Sequence, residues 1–219
     1  MAPEHRVKSA EDTGMPGRGF DDEIAFNTQY SSQWDSLCHV VDTNTGETYN
    51  GAKPTKELLS VTDTKTNKLP SLDHWHSRGG MVARGVLIDF KRYMDETTGV
   101  EFSPLDGHRI TIDEIEAVAK YQELVFKPGD VLIIRTGWTE AIEDPTPEVL
   151  VKLQQATMCG VHGVVETARW VWDRRFAAVA GDAIAFEAYP PLKHDGSVGD
   201  ATDLGKYLLR QLANPVTKS

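Results

Sequence analysis

The apolar residues of this chain fall into two alternating rhythms. Val82, Val86, Leu87, Ile88 and Phe90 make a near-continuous run from Met81 to Phe90, and Val131-Leu-Ile-Ile-Arg-Thr136 makes a second behind the turn Lys127-Pro-Gly-Asp130. Such runs predict strands in a sheet covered on both faces. Elsewhere a spacing of three and four residues takes over. Thr111-Ile-Asp113-Glu114 is a capping-box pattern, and Ile112, Ile115, Ala119 and Gln122, with Val118 close by, line one side of a helix that reaches Leu124. Thr146-Pro147 opens a second helix, with Pro at its first position, that turns Val149, Leu150 and Leu153 inward. His162 to Arg175 reads as a third, on which Trp170 and Trp172 point to different sides because they stand two apart. Phe176 to Ala180 is a short buried strand ending at Gly181-Asp182. A Gly- and Asp-rich loop from Pro190 to Asp203 leads to a last short helix from Leu204 to Leu212. Strands alternating with amphipathic helices predict an α/β fold: a single domain with a mixed, largely buried β-sheet flanked by helices.

Two stretches follow neither rhythm. In residues 1–26, Pro3, Gly14, Pro16, Gly17 and Gly19 interrupt any periodicity and charges crowd between them. That composition predicts an irregular leader, or the remnant of a longer N-terminus, before a domain at 27–219. Pro54 to Leu72 is polar, rich in Thr and Lys, and reads as a surface loop.

Composition narrows the function classes. With 40% hydrophobic and 26% charged residues, the chain of 219 residues suits a water-soluble globular protein. Its 33 acidic against 23 basic residues, a net charge of −10, argue against a nucleic-acid surface, and Lys and Arg form no stripe. No apolar run reaches the roughly 18 residues of a membrane span, and no secretory signal pattern opens the chain. Cys38 and Cys159 are far apart and form no C-x-x-C motif, so they read as reduced core residues in a cytoplasmic protein.

Chemistry concentrates between Asn27 and His39, where a Trp, a Cys, a carboxylate and an imidazole fall within six residues. On an extended segment Gln33 and Asp35 share one face, and the following turn returns His39 to the region. An Asp that holds a cation or water and a His that moves protons suit that pattern. His74 and His76 are spaced as a strand would need to offer both imidazoles to a metal, but a two-His pair alone is a weak motif, and an irregular loop with one or both imidazoles in water or on a carbonyl is the favoured reading. Trp138 follows the clearest strand at its carboxyl end, where open α/β sheets place ligands. His108 reads as a surface-loop residue, His162 as a helix-terminus residue, and Asp182 as a pocket candidate at a strand end. The chain contains no G-x-S-x-G elbow, P-loop, G-x-G-x-x-G or H-E-x-x-H.

These motifs together resemble the cyclase and kynurenine-formamidase superfamily of metal-dependent hydrolases, which carries H-x-G-T-H-x-D-x-P-x-H. The overlay sets its first His on Gln29, its Gly-Thr on Ser31-Ser32, its second His on Gln33, its Asp on Asp35 and its closing His on His39. The version with Gln-Trp-Asp and a later His is similar to fungal cyclase-like proteins of secondary metabolism. So are Asp73-His-Trp75, Arg84-Gly-Val-Leu-Ile-Asp89, Pro128-Gly-Asp-Val-Leu-Ile-Ile-Arg-Thr-Gly-Trp138 and Trp170-Val-Trp-Asp-Arg174. The resemblance implies a swivelling β/β/α fold and an arylformamidase-like hydrolase or cyclase. Its substrate would be an amide (formamide), lactam or lactone of a small molecule, with carbon–nitrogen bonds other than peptide bonds as the target class. It implies a zinc or manganese ion on Asp35, supplemented by His74 or His76. His39 would carry the proton, Gln33 would assist as a catalytic hydrogen-bonding group, and Gln29, Trp34 and Trp138 would contact substrate. It also implies a homodimer or larger assembly, with no nucleic-acid or membrane partner. The family's late His and Glu fall on Gly205 and Lys218, and its members run further upstream of the motif, so the resemblance implies a chain truncated at both ends. The opposing expectation is a metal-free, non-catalytic relative with a small-molecule-binding or scaffold role.

Overall fold

The computed structural model describes residues 3–28, 32–42, 45–192 and 197. The predicted helix from Leu204 to Leu212 lies outside them, as do Gln29, Gly205 and Lys218. The chain divides into two compact units, Met1–Ser36 and Leu37–Ser219.

In the first unit, β1 (Glu4–Ser9) and β2 (Phe20–Ala25) form an antiparallel hairpin in which Glu4 faces Ala25 and Ser9 faces Phe20. Residues 4–9 and 20–25 of the stretch expected to be irregular are therefore strands, joined by a turn. Its alternation is legible in retrospect, because Val7, Phe20 and Ile24 fall on one face of the ribbon. Glu4, Arg6, Lys8, Asp21 and Glu23 fall on the other. Lys8 pairs with Glu23 at 2.5 Å across the charged face, and His5 meets Asp22 at 2.7 Å on the apolar one.

The second unit carries two short helices early on, α1 (Lys56–Leu59), inside the predicted surface loop, and α2 (Leu72–Ser77), which begins at that loop's last residue. Thr55 caps α1 by accepting from Leu58 N at 3.2 Å. Next come β3 (Gly85–Asp89), α3 (Phe90–Thr98), β4 (Arg109–Ile110), α4 (Ile112–Tyr121) and β5 (Val131–Arg135). Then follow α5 (Trp138–Glu143), α6 (Pro147–Gln154), β6 (Gly160–Val161), α7 (Val165–Asp173) and β7 (Ala178–Gly181). β3, β5 and β7 form a parallel sheet with β5 in the middle, and β4 pairs with β6, also in parallel. The α/β class is as expected, and among the described residues no helix is long and apolar enough to cross a membrane.

The main core forms where one face of the sheet meets α4. Ile88, Leu132 and Ile134 are buried from the sheet, and Ile115, Val118 and Ala119 from the helix, at the spacing that lines one helix face. Each of these Ile, Leu and Val side chains contributes about 1.5–3 kcal/mol by leaving water. The capping box at Thr111 and Glu114 is present in full. Two expectations fail on the other side of these elements. Leu87 is 43% exposed, so β3 is covered on one face, and the run to Phe90 ends early because Asp89 caps α3 by accepting from Arg92 N at 3.1 Å. Leu150 is also exposed, because Val149 and Leu153, one helical turn apart, already define the inward face of α6. Trp170 packs against Phe126 and Phe176 while Trp172 meets solvent, as their spacing required.

A single carboxylate keys the amino ends of the sheet. Asp130, 2% exposed, accepts from Arg84 Nε at 2.9 Å and Nη2 at 2.6 Å, and from Lys127 N at 2.7 Å. The adjoining backbone joins all three strands: Val131 N donates to Arg84 O and Ala177 N to Asp130 O, both at 2.8 Å. The Arg84 guanidinium holds the Asp130 carboxyl below the ordinary carboxylate range. A folded-state pKa lower than the unfolded one favours folding above the unfolded value and loses that contribution as pH falls through the folded value. Acid titration followed by circular dichroism is therefore expected to show stability declining below about pH 4, with a shallower decline in Asp130→Asn, which starts from lower stability.

A second, smaller core of Leu105, Trp138 and Met158 lies beside the β4–β6 pair. Here the segment Phe186–Tyr189 runs against β6, with Val161 N donating to Phe186 O at 2.9 Å and Ala188 N to Val161 O at 3.0 Å. A Cβ on Gly160 would stand 2.4 Å from the Glu187 carbonyl carbon, so this contact admits glycine alone. Gly160→Ala is expected to destabilise the fold by about 1–3 kcal/mol, read as a lower urea midpoint with an unchanged m-value.

Candidate functional site

The chemistry-bearing segment of the first unit, residues 32–36, has no helical or strand hydrogen bonding. Its Gln33 and Asp35 side chains meet: Gln33 Nε2 donates to Asp35 Oδ1, and Gln33 Oε1 accepts from Thr28 Oγ1 at 3.4 Å. Trp34, between them, is 45% exposed. The amide that stands where the resembling family has an imidazole is thus hydrogen-bonded to the motif's carboxylate. Gln29 lies outside the described residues.

In the second unit, His39 is exposed in a turn next to the buried Cys38. His74 and His76 lie on α2, not on a strand, and residues two apart on a helix are about 200° apart around its axis. His74 is half-buried, with Nε2 3.0 Å from Asn67 O, and His76 is exposed. The carbonyl it meets belongs to a buried polar knot. Asn67 Nδ2 donates to Val61 O at 2.8 Å and to Ser71 Oγ at 3.1 Å, and Leu69 N donates to Asn67 Oδ1 at 2.9 Å. His74 therefore helps fix the 61–73 loop. His108 is less exposed than a surface-loop residue would be. It stacks on Phe90 at 5.4 Å and pairs with Glu114, the capping carboxylate of α4, at 2.8 Å.

The carboxyl ends of the parallel sheet carry a denser polar arrangement than the sequence suggested. Asp182, just past β7, accepts from Thr136 N and Oγ1 at 2.7 Å each, Gly137 N at 2.8 Å and Trp138 N at 3.1 Å. All this hydrogen bonding goes to holding the strand-to-helix turn from β5 into α5. Trp138 itself is buried with Leu105 and Met158, so it packs the second core. Beside it, Arg135 bonds Asp89 at 2.5 Å and also Glu140. Lys91 meets Asp95 at 2.7 Å with its stem lying over Gly137, whose φ is 83°. The signal for this cluster was present as Asp89, Arg135 and Asp182 at three strand ends, but their pairing depends on strand order.

The metal that the resemblance implies requires imidazole and carboxylate donors converging on one point. Among the described residues no group of three His, Cys, Asp or Glu does so. Gln33 presents to Asp35 an N–H, which cannot ligate a cation. The described donor set does not fit a zinc or manganese centre. Neither thiol alters this, since both are buried and burial pushes Cys159 up to about 12.

No curated protein matches the chain. Among solved structures, it is similar to the crystal structure of a novel cyclase at 28% identity and a TM-score of 0.64, over 86% of this chain and 61% of that one. Isatin hydrolase A from Labrenzia aggregata, bound to benzyl benzoate, matches at 12% identity and a TM-score of 0.45, over 85% of this chain and 60% of that one. Isatin hydrolase A from Ralstonia solanacearum gives 13% and 0.42, over 85% and 58%. The chain thus spans about three-fifths of the length of the solved structures it matches. Residues 3–188, from the start of the hairpin to the segment beside Gly160, match the Cyclase family, and the chain belongs to that family.

Proposed function

We propose that this protein is a hydrolase or cyclase of the arylformamidase-like type, acting on the amide, lactam or lactone carbonyl of a small organic molecule. The observation that carries the reading is the family match across residues 3–188, which includes the whole Gln33–His39 motif. Roles follow from position in that motif. His39, an exposed imidazole, takes a proton from the attacking water and returns it to the leaving nitrogen or oxygen. Gln33 has a second amide N–H beyond the one given to Asp35, and donates it to the substrate carbonyl oxygen as negative charge develops there. Asp35 fixes the Gln33 amide in orientation. Trp34 supplies an aromatic face for the substrate. Because the described donors do not fit a metal, no step passes through one. A cytoplasmic location and a homodimeric or larger state belong to the same proposal.

The second reading is a family relative that binds small molecules without turning them over. The hydrogen bond from Gln33 to Asp35 favours it, because it occupies the carboxylate that the family's chemistry needs. One experiment separates the two. Purified wild type, Asp35→Ala and His39→Ala are assayed on a panel of N-formyl aryl amides, lactams and lactones, with metal content measured by ICP-MS. Turnover by wild type that falls at least about 100-fold in His39→Ala supports the hydrolase. Saturable binding of panel members without turnover establishes the second reading. Stoichiometric metal that is lost in Asp35→Ala overturns the metal-free assignment of roles.

A further inference from the structure

Away from the motif residues, the second unit holds a recess of about 210 Å³ lined by Thr111, Ile112, Asp113, His162, Val164 and Thr167. It lies where β4 and β6, a parallel pair, pass into α4 and α7, so two helix starts open on it. Those two starts are finished differently. In α4 the Thr111 hydroxyl accepts from Glu114 N at 3.3 Å and the Glu114 carboxylate accepts from Thr111 N at 2.7 Å. In α7 the capping position is Val164, which has no side-chain acceptor. The first hydrogen bond there is Ala168 N to Val164 O at 3.2 Å, and the N–H groups of Val165, Glu166 and Thr167 meet no acceptor among the described residues.

Thr167 turns an open helix start into a site. The residue is 1% exposed, it lines the recess, and its hydroxyl has no hydrogen-bond partner among the described residues. Buried hydroxyls are ordinarily satisfied. A ligand oxygen in the recess would satisfy this one and the α7 amides together. Arg109 lies close enough to depress His162, whose imidazole is held below its ordinary value first by burial and then by that guanidinium, so at neutral pH it offers one donor and one acceptor. Arg109 itself forms no ion pair with a carboxylate among the described residues and donates to Pro190 O. Four carboxylates stand near the recess: Asp113 and Glu166 are exposed at the rim, where water screens them, Glu114 is engaged by Thr111 and His108, and Glu187, packed on Gly163, is held above its ordinary range by burial. Ile112 and Val164 supply an apolar wall.

We propose that this recess binds the carboxylate of a small organic acid, with the Val165–Thr167 amides and the Thr167 hydroxyl as donors and Ile112 and Val164 against the hydrocarbon part. The site is separate from the proposed catalytic motif and stands whether or not the protein turns over a substrate. Its test is a titration of the ¹⁵N-labelled full chain, at constant ionic strength and neutral pH, with butyrate and separately with inorganic phosphate. Butyrate is expected to move the amide resonances of residues 165–167 saturably. Thr167→Val is expected to weaken binding about tenfold, while Thr167→Ser, which keeps the hydroxyl, retains it. Asp113→Asn, at an exposed position, tightens binding about twofold by removing a like charge. The proposal is overturned by a folded wild type with no saturable shifts at these amides, by equal affinities in Thr167→Val and Thr167→Ser, or by phosphate binding as tightly as butyrate.

Discussion

A charge buried at a point where three strands begin is the constraint on which the second unit rests. Asp130 could not be taken out of water alone, since an unpaired buried carboxylate is costly. The cost is met by the Arg84 fork and the Lys127 amide, and the same few residues set the starts of β3, β5 and β7 through backbone hydrogen bonds. At the opposite end of β5, Asp182 does comparable work with three backbone amides and the Thr136 hydroxyl. The central strand is therefore tied at both ends by carboxylates from outside it. Burial of Leu132 and Ile134 supplies the apolar attraction between.

This arrangement explains why the carboxyl ends of the sheet, the customary ligand position in open α/β folds, are filled here by structure. Asp182 is saturated by Thr136, Gly137 and Trp138, and Arg135 is held between Asp89 and Glu140. The smaller β4–β6 pair offers the same topological position with less in it: one helix start is sealed by its own capping box and the other by nothing. The residues that align with the family motif, Gln33, Asp35 and His39, lie at neither of these strand-end positions.

Much of the second unit was legible in the sequence because its signals are local. The capping box at Thr111 and Glu114, the Pro at the start of α6 and the Val131–Arg135 run each fix an element within a few residues of themselves. The hairpin escaped because its alternation is carried by charged residues on one face and interrupted by a glycine-rich turn, so composition concealed periodicity. α3 escaped because Asp89 ends a strand and caps a helix at once, and apolar residues continue unbroken across the change. In the candidate site, the contact between Gln33 and Asp35 followed from period-two spacing. The placement of His74 did not, because six residues of helix replaced an expected strand or loop. Asp182 was visible as a strand-end carboxylate, but its partners lie more than forty residues earlier and depend on β7 lying beside β5.

The environment of Cys159 has a use of its own. A thiol that burial keeps from ionising until about pH 12 has almost no thiolate near neutrality, and thiolate is the form that alkylating reagents attack. While β6 is in place the sulfur is chemically silent. When the strand separates from its neighbours, the thiol returns to an ordinary acidity and reacts. The labelling of this one atom is thus a built-in clock for local opening of the β4–β6 region, reporting its frequency without any foreign probe.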